Sequence, residues 1–73
     1  MASPKFTPEQ FILFCNFYFN NRNDKEYKWL RFGQAFFYYF RDQGMNKVTD
    51  AELFYEPDPT KATDMIYKRY IQF

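Results

Sequence analysis

The chain is expected to fold as an all-α domain, a compact three-helix bundle with one additional short helical turn. Three observations point there. Apolar residues recur at helical spacing in three separate stretches. Each stretch opens on a residue pattern that starts helices. The connections between them are short, which favours packing of neighbours in a bundle. With 73 residues the chain is one small domain, residues 1–73.

The first helix is expected over about residues 8–21. Thr7-Pro8-Glu9-Gln10 supplies an N-cap, a proline at the first helical position and a glutamine at the capping-box position. Phe6 and Phe11 stand where a hydrophobic staple would put them. Glu9, Asn16 and Asn20 form a narrow polar strip, and aromatics cover most of the rest. A strand competes, because Phe, Tyr and Ile favour sheets. The start signal and the length argue for helix.

The second helix is expected over about residues 24–42. Asn20 to Asp24 reads as a turn, and Asn23 with Glu26 as a second capping box. Gly44 is the stop residue. The core stripe is Trp29, Phe32, Gly33, Phe36 and Phe40, and the opposite face is Lys28, Arg31, Gln34, Tyr38 and Arg41. Thr49-Asp50-Ala51-Glu52 reads as a third capping box opening a short turn over about residues 50–54. The last helix covers about residues 59–72, with Asp58 as cap and Pro59 in its first position. Its stripe is Ala62, Met65, Ile66, Tyr70 and Phe73.

Composition narrows the function. Cys15 is the only cysteine, so an internal disulfide and a multi-cysteine zinc site are excluded, and a reducing compartment is the simplest reading. There is no histidine, which removes His-based acid–base chemistry and His metal ligation. Two glycines cannot build a phosphate-binding loop. The apolar run Phe11 to Phe19 falls short of the ~20 residues that span a bilayer, and is expected in the core. The protein is therefore expected to be soluble and to need no membrane. The net charge of +1 fits neither a DNA mimic nor a strongly basic nucleic-acid binder. It is unevenly spread: residues 43–66 carry five acids against two bases.

Each candidate site competes with an ordinary structural role. Cys15, inside the apolar run, reads as a core thiol. Glu52, Glu56 and Asp58 could hold a divalent cation, but their prolines point to a solvated loop. Gly33 breaks helix propensity by about 1 kcal/mol relative to alanine. It implies close approach of another helix, or else a notch that receives a partner's side chain. Lys25, Lys28, Arg31 and Arg41 make a basic face able to meet phosphates, with Tyr38 available to stack on a base. Solvated helix surface is the alternative.

The strongest signal is an aromatic surplus: 11 Phe, 7 Tyr and 1 Trp, or 26% of the chain. Phe36 to Phe40 is an unbroken aromatic run that covers every side of a helix, so its members cannot all enter one core. Phe37, Tyr38 and Tyr39 are left over, together with part of Phe17-Tyr18-Phe19. Exposed aromatic surface of this kind marks an interface with a partner or a second copy.

Arg31-Phe32-Gly33-Gln34-Ala35-Phe36 resembles an Arg-x-Gly-Gln-x-Phe segment of small uncharacterised proteins of tailed bacteriophages. Leu53-Phe54-Tyr55-Glu56, followed by Asp58 and Lys61-Ala62, resembles the acidic helix-opening segment that follows it there. The two resemblances cover about half of the chain and carry no assigned chemistry. They imply a phage-type accessory protein in the bacterial host cytoplasm. Proteins of that class often bind and disable or redirect a host protein, anti-CRISPR inhibitors included.

The expected function is accordingly non-enzymatic, without a cofactor or metal. A host protein would be bound through Arg31, Phe37, Tyr38, Tyr39 and Arg41. The alternatives are a nucleic-acid-binding protein using Lys25, Lys28, Arg31 and Arg41, and a homodimeric structural protein.

Overall fold

A computed structural model describes residues 4–21 and 27–72. Its helices are α1 (Pro8–Asn20), α2 (Phe32–Tyr39), the short α3 (Ala51–Phe54) and α4 (Pro59–Tyr70). Single turns of 3-10 helix, Arg41–Gln43 and Met45–Lys47, join α2 to α3. No strand occurs among the described residues, and the chain is the expected all-α bundle of three longer helices with one short turn.

The first and last helices start where their caps dictate. Thr7 Oγ1 accepts from the Gln10 N–H at 3.2 Å, and Gln10 Oε1 accepts from the Thr7 N–H at 2.8 Å. Two of the orphan N–H groups of α1 are thereby satisfied. At the other end Asp58 Oδ1 accepts from the Thr60 N–H at 2.9 Å, with Pro59 opening α4. The inner faces are Phe11, Phe14 and Tyr18 on α1, and Ala62, Ile66 and Tyr70 on α4. Met65 is only half-buried, and Phe73 lies outside the described residues.

The second helix differs from the expectation. Its proposed capping box, Asn23 with Glu26, lies outside the described residues. Tyr27–Trp29 forms a turn, Arg31 is extended, and α2 begins only at Phe32. Burial explains the delay. Tyr27 turns into the core against Phe17 and Tyr38, with ring centres 5.1 and 5.4 Å away. The Tyr18 hydroxyl donates to the Leu30 carbonyl at 3.3 Å, which holds this stretch across α1. Gln34 then serves as the N-terminal anchor, its Oε1 accepting from the Arg31 N–H at 3.1 Å. Trp29, expected in the core stripe, is 82% exposed as a result.

At its far end α2 tightens into the 3-10 turn, and Gly44 reverses the chain at φ 110°. The α3 cap is also corrected by one residue. Asp50, rather than Thr49, accepts from the Leu53 N–H, at 3.2 Å.

Phe36 sits at the centre of the core, with the rings of Phe6, Phe11, Phe14, Phe40 and Tyr70 around it. Every buried side chain in the described core is apolar or aromatic. One feature had no sequence signal. The segments flanking α1 and α4 pair in parallel, through Phe6 N–H to Tyr70 O at 2.8 Å and Gln72 N–H to Phe6 O at 2.9 Å.

Candidate functional site

The surplus aromatics of α2 part company around the helix. Phe36 and Phe40 are buried, while Phe37, Tyr38 and Tyr39 are half-buried. Tyr39 leans toward α1, its ring 5.3 Å from those of both Phe14 and Phe17. Phe37 leans the other way, toward Phe54 of α3 at 5.6 Å. Tyr38 lies between them, its ring 5.4 Å from that of Tyr27.

Gly33 sets how close α3 comes. A β-carbon placed on it would lie 2.2 Å from the Leu53 carbonyl oxygen, far inside van der Waals contact. The notch that a partner's side chain could have entered is thus filled by the chain's own α3. One turn further along α2 the two walls diverge, and a cavity of about 510 Å³ opens between them. On one side it is lined by Gln34, Phe37, Tyr38 and Arg41, and on the other by Met45, Asn46, Val48 to Ala51 and Phe54. Leu30 and Tyr55 complete the lining. The volume lies in the range of ordinary ligand sites.

Two arginines flank the cavity. Arg31 donates to the Tyr55 carbonyl at 3.2 Å. Arg41 donates to the Tyr38 carbonyl at 2.9 Å and stacks on the Tyr38 ring, its guanidinium carbon 4.2 Å from the centroid. Among the described residues neither guanidinium has a carboxylate in ion-pair contact. The remaining N–H donors of Arg41 stay available, because guanidinium carries five.

Among the described residues Asp50 is the sole acid lining the cavity, and its charge is already engaged. Arg69 donates to both oxygens at 2.9 Å, and the Tyr70 hydroxyl donates at 2.7 Å. Burial alone would raise the Asp50 carboxyl, but the donations from Tyr70, Arg69 and the Leu53 N–H hold it below the usual carboxylate range. Burial and the bond to Asp50 push the Tyr70 hydroxyl well above an ordinary tyrosine. Arg69 also donates to Glu52.

The site residues expected from sequence therefore divide. Phe37, Tyr38 and Arg41 share the cavity, and Arg31 donates to Tyr55 of its lining. Tyr39 faces α1 instead. Of the basic set, Lys25 lies outside the described residues, and Lys28 sits in the turn before α2, its Nζ 5.2 Å from the Trp29 ring centre. The continuous basic helix face does not form, because α2 starts too late to carry Lys28 and caps on Arg31. Glu52 is held by Arg69, Glu56 accepts from the Asp58 N–H, and Asp58 caps α4. Among the described residues no three acidic or cysteine side chains gather as a metal site. Cys15 is half-buried against the core, and burial raises its thiol.

Sequence reasoning missed the second wall, Met45, Asn46, Val48 to Ala51 and Phe54. Its only trace was Gly33, which signals close approach without saying what approaches. Comparison with protein-family models, with curated proteins and with solved structures finds no match.

Proposed function

We propose that the chain is a non-enzymatic binding protein that docks a host protein, as its inhibitor or modulator, through the outer face of α2. The observation that carries this reading is the apolar cavity between α2 and α3, with Tyr38 and Arg41 at its mouth. Tyrosine and arginine beside an apolar pocket are the residue types that dominate binding energy at protein interfaces. The resemblance of Arg31 to Phe36 to phage proteins supplies the host-directed part of the reading and its setting, a bacterial cytoplasm. No helix among the described residues is long and apolar enough to cross a membrane.

The test is affinity capture from bacterial lysate with three forms of the protein: wild type, Val48→Asp, and Asn20→Ala on the far side of α1. The expected result is one host protein retained by wild type and by Asn20→Ala but lost with Val48→Asp, while circular dichroism shows all three folded. Retention by a folded Val48→Asp would move the interface elsewhere.

A second reading is favoured by α1. Its outward face exposes Ile12, Leu13, Phe17 and Phe19, and residues 10–21 contain no charged side chain. A two-fold interface sets identical patches against each other, and a helix face whose one charge, Glu9, stands in the first turn suits that arrangement because few like charges meet. Light scattering tests it: a dimer that Leu13→Glu converts to monomer supports homodimerisation, and a wild-type monomer at all concentrations removes it. Nucleic-acid binding has less support, since Lys28 and Arg41 are not displayed on one helix face.

A further inference from the structure

We propose that the groove between α2 and α3 selects an acidic partner segment: an apolar, preferably aromatic, side chain enters the cavity while a neighbouring carboxylate is held by Arg41. The proposal rests on the cavity being the docking site and adds the chemistry of what docks there.

The lining is mainly apolar, with Phe37, Met45, Val48 and Phe54 among it, so the inserted group is apolar. A flat ring suits it, because the wall is itself built of rings meeting edge to face, Phe37 with Phe54 at 78° and Phe54 with Tyr55 at 85°. Charge decides the rest. Arg41 is fixed before any ligand arrives, by the Tyr38 ring beneath it and the Tyr38 carbonyl beside it. A guanidinium held this way loses little freedom when it grips a carboxylate, and its planar fork fits one. Its neighbour Asp42 is exposed on the same turn and makes no ion pair with it among the described residues.

Among the described residues the acids nearest the groove turn to Arg69 rather than to Arg41. Asp50, the acid in the lining, has a side chain only 11% exposed and gives both oxygens to Arg69. Glu52 turns to Arg69 as well. Arg31 adds a second cation where it donates to Tyr55. An apolar trough whose lining carries a guanidinium without a carboxylate partner among the described residues favours a segment that brings a carboxylate to it.

Three small probes of matched shape test this: 3-phenylpropionate, its neutral amide 3-phenylpropionamide, and the cation phenethylammonium. Each is titrated into the full chain, 15N-labelled, and amide shifts of Phe37, Val48 and Phe54 report occupancy. Fragments of this size bind in the millimolar range. The expected order is carboxylate, then amide, then cation, with the carboxylate about five-fold tighter than the amide, a modest factor because Arg41 is exposed. Added salt should narrow that gap. Arg41→Gln should bring the carboxylate to the level of the amide and leave the amide unchanged. If the amide binds as tightly as the carboxylate, or Arg41→Gln changes nothing, the acidic preference is wrong while the groove stands as a binding site. If none of the three probes shifts the groove amides, both the preference and the docking site fall.

Discussion

Gly33 has no room for a methyl group. An alanine there would gain about 1 kcal/mol of helix propensity. Its β-carbon would also meet backbone, the Leu53 carbonyl oxygen at 2.2 Å, and backbone cannot rotate away as a side-chain tip can. Overpacking of this kind costs about 1–3 kcal/mol, and here α3 must move bodily to relieve it. Taking the upper end of that range, since backbone must move, and subtracting the propensity gain, Gly33→Ala is expected to be destabilising by about 2 kcal/mol net. Thermal unfolding should show a Tm lowered by roughly 8–16 °C for a domain of this size. An unchanged Tm would mean that α3 does not lie against α2 in solution. Asp50 is the second residue on which much depends. Its carboxylate joins α3 to α4 by accepting from Leu53, Arg69 and Tyr70. Its folded carboxyl lies below the ordinary value, so the folded state holds a proton less tightly than the unfolded one. That contribution is complete above the ordinary aspartate value of about 3.9 and is lost as pH falls through it toward the lower folded value. Tyr70 has the opposite sign: its raised hydroxyl contributes fully below about 10 and loses that contribution as pH rises further. Asp50→Asn should lower stability near neutrality by about 2–3 kcal/mol, since it weakens a helix cap and a charged hydrogen-bond set. It should also flatten the acid limb of the stability–pH curve. An acid limb identical to wild type would remove Asp50 as its source.

The elements divide by how local their causes are. The starts of α1 and α4 were legible because a cap is settled within four residues: Thr7 to Gln10, and Asp58 to Thr60. The start of α2 was not, because a tertiary event decides it. Tyr27 enters the core, Tyr18 bonds across to Leu30, and the chain can wind into helix only after Arg31. Helical spacing counted back from Phe36 placed Trp29 inside, whereas the turn sends it out. The groove was half legible for the same reason. Phe37 and Tyr38 follow from an aromatic run too wide for one core and Arg41 from the polar face beside it, but the facing wall depends on where α3 lands. The turn before α2 yields a direct comparison. Trp29→Ala should change stability by less than about 0.5 kcal/mol, as expected of an exposed site. Tyr27→Ala, two residues earlier, should cost about 3 kcal/mol because it empties a core position. Urea unfolding of the two variants measures both. Equal costs would put Trp29 back in the core and restore the longer helix. The same exposure makes the emission of Trp29, the chain's one tryptophan, solvent-like in the folded protein.

For the molecule as a whole the question is how so short a chain holds together. A domain of 73 residues is stable by roughly 4–11 kcal/mol at the usual amount per residue. The pairing of the two flanking segments matters on that scale. Phe6 is 3% exposed, and its ring lies 4.3 Å from that of Phe40 and 5.8 Å from that of Phe36. Ile71, its partner in the pairing, is 6% exposed. Opening the pair would expose both side chains, at roughly 1.5–3 kcal/mol each, and leave a hole beside the central phenylalanine. That is a large share of the total. The flanking segments should therefore not fray as chain segments near a terminus usually do. Native-state hydrogen exchange can decide this. The Phe6 amide donates to Tyr70 and the Gln72 amide to Phe6, so each reports on the pairing directly. Both are expected to exchange about as slowly as the amides of Phe36 and Ile66 in the core, through global unfolding alone. Fast exchange at Phe6 and Gln72 with slow exchange at Phe36 would mean that α1, α2 and α4 hold without the clasp. The central phenylalanine cluster would then be stable with one side open, and the core that holds the fold would be smaller than its buried residues imply.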